Sequence, residues 1–212
     1  MYTILLIFII IISIYTRLYY LSIHHKNYKK RKEELTHSYH TNTIINITIS
    51  ICVFAFIVTN STFSNHLIPR LDIIFIYLIL SDTFYYWLHR IIHRTPILKQ
   101  ALHSTHHSSR KLIPLDMFYV EHKEYVCYLL LTLGLKGLFS QINLLEYCLV
   151  SSIMFYHTYY THAEIKEPFF LPLFIKSSFH KKHHTIGGGN YAILFNIWDK
   201  YMGTTIKKKK IV

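Results

Sequence analysis

Three groups of histidines stand at ligand spacing: His89 and His93; His103, His106 and His107; His180, His183 and His184. On a helix, residues three and four apart share a face, so each group can aim its imidazoles at one point. Chance does not account for them. With 16 histidines in 212 residues, the pattern His-x-x-His-His is expected about 0.1 times by accident, yet it occurs at 103–107 and again at 180–184. Imidazole suits iron, zinc, copper and nickel, whereas calcium and magnesium take oxygen ligands. These histidines are too many for one tetrahedral zinc and enough for two metals sharing a site. Two redox metals beside a membrane imply oxygen activation against a lipid carbon. Zinc-assisted hydrolysis is the competing chemistry. It usually brings a glutamate base within His-Glu-x-x-His, which this sequence lacks. A haem would use one or two axial histidines and leave most of the set unexplained.

His162 and His157 come next. They lie five apart, roughly 140° around a helix, so they do not face one point; His162 is the better placed and His157 the weaker candidate. His24, His25, His37, His40, His66 and His122 have no partner at ligand spacing and read as loop histidines. Asp82 lies inside an apolar run, seven residues or two helical turns before His89 and on the same face. An ionisable group in such a run is a functional candidate. Cys52, Cys127 and Cys148 show no paired spacing and read as buried thiols. Gly187-Gly-Gly189 lacks the strand and helix of a phosphate loop and reads as a flexible connection. No flavin, nicotinamide or haem fingerprint is present. No catalytic group is therefore expected beyond the metal centre, no further cofactor-binding residues, and electrons must come from outside.

The elements that must position these residues are apolar. Half of the chain, 51%, is hydrophobic and its net charge is +12. The apolar residues fall in long runs with the basic ones between them, which suits loops facing an anionic membrane better than a nucleic-acid groove. Residues 2–23 read as an uncleaved membrane anchor. The basic loop Arg17–Glu34 is cytosolic by the positive-inside rule. Further runs span about Ile44–Phe63 and Leu71–Leu88, the second leading into His89. Pro96 and Pro114 separate the helix of His89 and His93 from that of His103–His107. Residues 125–160 are too long for one crossing and read as a hairpin turning near Lys136–Gln141. The expected fold is all-α: a polytopic integral membrane helix bundle with a cytosolic histidine-rich helical cap. Residues 1–70 supply anchor helices and a basic loop, 71–206 the histidine-bearing domain, and 207–212 a basic tail.

The run Asp82-Thr-Phe-Tyr-Tyr-Trp87-Leu-His89-Arg90-Ile-Ile-His93, with His103-Ser-Thr-His106-His107, resembles the fatty acid hydroxylase/sterol desaturase superfamily. So do His180-Lys-Lys-His183-His184, Asn190-Tyr191 and Trp198-Asp199 through Gly203-Thr204. The resemblance covers about residues 71–206. It implies an endoplasmic-reticulum membrane oxidoreductase whose cytosolic centre holds two Fe ions, with Zn as a substitute in an isolated preparation. Such a centre uses O2 to hydroxylate or desaturate a fatty-acyl, sterol or sphingoid chain. A donor such as cytochrome b5, with its NAD(P)H-dependent reductase, supplies electrons; no nucleic acid is involved. His162-Ala-Glu resembles the family's additional histidine site. Asp82 and Asp199 are then candidates to orient ligand imidazoles through their outer N–H groups. Glu124 stands where the family often has the glutamate of His-Pro-x-Glu, although Glu121-His122 departs from that pattern. Lys209-Lys210-Ile211-Val212 resembles a dilysine retrieval signal. A zinc-dependent membrane hydrolase and a non-catalytic protein with a structural metal site are the rival readings.

Overall fold

The computed structural model describes residues 2–139, 141–164 and 174–207; the dilysine-like tail lies outside them. Among the described residues the chain is helical, with only two isolated bridges, Ser64 with Asn143 and Phe174 with Phe195. The long helices are α1 Tyr2–Ile23, α2 His37–Asn60 and α3 Leu71–Arg94. After α3 come α4 Pro96–Leu98, a π turn Lys99–His103 and α5 Ser104–Ser108. The hairpin is α6 His122–Leu138 and α7 Leu144–His162, followed by α8 Ser177–Ile186 and α9 Ile197–Tyr201.

Local chemistry sets these boundaries. Thr36 caps α2 by accepting from the Tyr39 N–H, so the helix starts before the apolar run does. Pro96 opens α4 at a position where its missing N–H costs nothing. Asn143 and Glu146 form a reciprocal capping box that starts α7 after the turn. Helices α2 and α3 are long and apolar enough to cross a membrane, and only 22% and 28% of their apolar stretches are buried. Ile44, Phe54, Phe56, Phe75 and Ile76 face outward from them. A greasy exterior of this kind suits hydrocarbon better than water. Cys52 is exposed on this surface and Cys127 and Cys148 are half-buried, which corrects the expectation of buried thiols.

The antiparallel helices bring the end of α3, the start of α6 and the end of α7 to one pole, where the histidines gather. At the opposite pole, buried Glu146 accepts from His66 Nε2 at 2.8 Å and from the Arg70 backbone N–H at 2.6 Å. That clamp ties the α2–α3 loop to the hairpin turn. His66 is thus a structural partner, while His37 and His40 belong to α2 and His122 to α6; none of these four stands among the clustered imidazoles.

The first seventy residues are not a detachable tether. Leu18, Tyr39 and Ile47 share a core with Leu115, Met117 and Phe118. Arg31 is buried against Asp116, and its Nη2 donates to Ser109 Oγ at 2.9 Å.

Asp82 has a role different from the expected one. Its carboxylate accepts the backbone N–H groups of Ile193 (3.1 Å), Leu194 (2.8 Å) and Phe195 (3.1 Å). It therefore fixes a loop against α3 and touches no imidazole. Asp199 behaves alike, accepting from Tyr191 N at 3.0 Å and Ala192 N at 2.8 Å. Backbone donors without helix or sheet partners need acceptors when buried, and these two aspartates supply them. Asp82→Asn keeps one acceptor oxygen and turns an NH2 toward the remaining donors. It should cost about 2 kcal/mol, read as a lower melting temperature in detergent; an unchanged midpoint would remove Asp82 from this role.

Candidate metal centre

The histidines converge in two groups. His89, His93, His103, His107 and His183 form one; His106, His162, His180 and His184 form the other, with the candidate ligand atoms of each group within 4.8 Å of one another. Helical spacing explains the sorting. The i, i+4 pairs His89/His93, His103/His107 and His180/His184 each stay together. The sequence neighbours His106/His107 and His183/His184 split, because successive side chains on a helix point about 100° apart. Each His-x-x-His-His box thus contributes to both groups. The π turn ends at His103, consistent with the concentration of such turns at functional sites.

Outward hydrogen bonds set the tautomers. His89 Nδ1 donates to the Tyr191 carbonyl at 2.7 Å, and His183 Nδ1 to that of Gly189 at 2.8 Å. His162 Nδ1 donates to the Thr158 carbonyl at 2.7 Å, and His106 Nδ1 to that of Tyr119 at 3.2 Å. His103 Nδ1 meets Glu124 Oε1 at 2.5 Å. Each of these rings therefore presents Nε2 as a lone pair to the interior. Yet His89 Nε2 lies 2.9 Å from His103 Nε2, and His106 Nε2 lies 3.4 Å from His162 Nε2. Two lone pairs this close repel unless a cation lies between them. The donor set fits a bound metal in both groups, with outer partners of the kind that orient metal-ligating histidines. Both His93 nitrogens and the Nδ1 atoms of His180 and His184 have no hydrogen-bond partner.

The loop fixed by Asp82 and Asp199 now gains a purpose, since it carries the Tyr191 and Gly189 carbonyls. Gly187 and Gly189 are not a flexible connection, contrary to expectation. Gly187 ends α8 with φ +77°, and a Cβ on Gly189 would stand 2.2 Å from the Thr204 carbonyl oxygen. Only glycine lets the backbone approach that closely. Of the three expected outer partners, Glu124 contacts a clustered imidazole directly; Asp82 and Asp199 act through the loop. His157 stands outside both groups, against Phe174 and Tyr160. The Tyr191, Gly189 and Tyr119 carbonyls have no sequence signature, because any residue supplies one.

Burial holds the imidazoles of the π turn, α5 and α8 neutral. It is the main cause lowering His106 from 6.5 to about 3, with His162 adding to it, and His107 to about 2, with His106 adding. Burial likewise pushes His103, His180, His183 and His184 well down. The neutral ring is the form that ligates. Because the folded values lie below 6.5, the unfolded chain binds more protons as pH falls, and stability drops with it. The stabilising difference is fully present above about 6.5 and is lost on acidification toward 3. Metal-free protein should therefore melt at a lower temperature at pH 5 than at pH 7.5, a comparison open to differential scanning fluorimetry.

A cavity of 740 Å³ adjoins the centre. His103, His106, His162 and Glu124 line one end, and Ile57, Tyr77, Leu135 and Tyr147 line it further along the bundle. Tyr77 precedes His89 by twelve residues, ~18 Å along α3. The walls are mainly apolar, with Tyr85, Tyr125 and Tyr128 among them.

The fatty acid hydroxylase family model matches residues 74–204, more than half of the chain. The chain is similar to methylsterol monooxygenase erg25A of Aspergillus fumigatus, 28% identical over 139 residues, covering 62% of this chain and 46% of that protein. Methylsterol monooxygenase 1 of Rattus norvegicus is 25% identical over 137 residues, covering 61% and 45%. Protein CER1-like 1 of Arabidopsis thaliana is 30% identical over 135 residues, covering 57% and 21%. The chain thus spans less than half the length of these curated relatives. No solved structure matches.

Proposed function

Because this chain belongs to the fatty acid hydroxylase family, we propose that it is a membrane-bound, O2-dependent lipid oxidoreductase with two iron ions held by nine histidines. The observation that carries this reading is the junction of two imidazole groups with a long apolar cavity. His89, His93, His103, His107 and His183 would hold one ion, and His106, His162, His180 and His184 the other. Bound iron supplies O2 activation and accepts electrons from an external donor such as cytochrome b5 with its reductase. The chain's own residues do the rest. The carbonyls of Tyr191, Gly189, Thr158 and Tyr119 and the carboxylate of Glu124 orient the rings. The apolar walls of the cavity bind an acyl, sterol or sphingoid chain, exclude water and present one carbon to the centre.

Two of the relatives are named methylsterol monooxygenases, which favours insertion of one oxygen atom over desaturation. The basic segment after α1 favours a cytosolic histidine pole, and the family resemblance favours the endoplasmic reticulum. Comparing lipids of cells with and without the protein tests the reading. A gain of one oxygen in a lipid class is expected; loss of two hydrogens would indicate desaturation instead. Unaltered lipids together with a zinc-only metal content would overturn it in favour of the hydrolase.

A further inference from the structure

The two histidine groups are built differently. Five imidazoles in the first leave at most one position of an octahedral metal open, while four in the second leave two. The first group also reaches the surface. His93 and His107 are only half-buried, whereas all four rings of the second group are buried. The Lys99 ammonium acts electrostatically on both half-buried rings, and its Nζ comes within 3.9 Å of the position a Gly187 Cβ would take. Neither nitrogen of His93 has a hydrogen-bond partner, and outside the group its ring packs on Tyr191, 5.2 Å between centroids, so packing and no hydrogen bond orients it. The second group faces the other way. His106 and His162 line the apolar cavity. The first group meets the cavity through His103, whose Nδ1 edge is bonded there to Glu124.

We infer that the two metal positions are unequal: the five-histidine position exchanges its metal with solution past His93 and His107, and the four-histidine position keeps its metal and faces the lipid. The inference rests on the two-metal reading above. A chelator in water reaches the first metal along a half-exposed wall whose ligand His93 is held by packing alone. It reaches the second only through protein or through a cavity lined mainly by apolar side chains. The lipid carbon approaches from that cavity, and the position with two open sites is the one beside it.

The test counts metal per chain rather than turnover. Full-length protein in detergent, loaded with iron, is exposed to EDTA, and bound iron is followed by mass spectrometry over time. Loss in two phases is expected, one ion leaving at least about tenfold faster than the other. His93→Gln should hasten the fast phase and leave the slow one unchanged, whereas His184→Ala should abolish the slow phase. Loss of both ions in a single phase overturns the inequality, as does a fast phase that vanishes in His184→Ala. Loaded wild-type protein with fewer than two ions overturns the two-metal reading, and the inequality with it. The wild-type time course stands even where a variant fails to fold.

Discussion

His106→Ala should lower lipid oxidation by at least about 100-fold and reduce the metal content of the purified protein. Substituting an outer partner of a metal ligand typically costs 10–100-fold in affinity or activity, and removing a ligand costs no less. His106 belongs to the smaller group, so its loss leaves His162, His180 and His184. Its ring is buried and its Nδ1 is already committed to the Tyr119 carbonyl, so no neighbouring side chain replaces it. Oxidised lipid per unit of protein in cells and metal per chain are the two readouts. His37→Ala, on an exposed face of α2, serves as the control and should change neither. Unaltered metal content and oxidation in His106→Ala would remove the central claim.

Arg31→Ala should destabilise the protein by about 3–5 kcal/mol, because it leaves the buried Asp116 without its cation. The two side chains are 2% and 1% exposed, so solvent screens the pair little. Asp116 also accepts from the Tyr39 hydroxyl and the Ile113 N–H, both at 2.8 Å. Arg31 therefore completes a network that joins the N-terminal loop to the 3₁₀ turn Pro114–Phe118. That turn lies between the second histidine box and α6. The residue lies outside the segment matched by the family model, yet it braces the stretch from Ser109 to Asp116 that precedes the Tyr119 carbonyl, the acceptor of His106 Nδ1. A melting temperature within a degree of wild type would show that the loop can be dispensed with.

Much of the helical framework was legible because each signal was local. Apolar runs and prolines such as Pro96 act within a few residues of where they are written. The turn near Lys136–Gln141 followed from the length of one apolar stretch. Asp82 was legible as unusual but not in its role: its partners are backbone donors more than a hundred residues later. Hydrogen bonds to main-chain groups carry no residue code. The glycine triplet misled for a related reason, since close approach to the Thr204 carbonyl is a property of two distant segments. Arg31 looked like one of several basic loop residues, and only packing singles it out.

By itself, the sequence determined the candidate ligands, since spacing of three and four on a helix is a local fact. It also determined the apolar spans that hold them and a chemistry suited to imidazole. Tertiary structure alone decided which histidines stand together. His106 and His107 are neighbours in the chain and belong to different groups, because the helix turns about 100° between them and different helices meet each face. It alone set the five-and-four division, the outer carbonyls and the cavity at one side of the pair. These depend on how α3, α5, α7 and α8 pack, which no single stretch of sequence encodes.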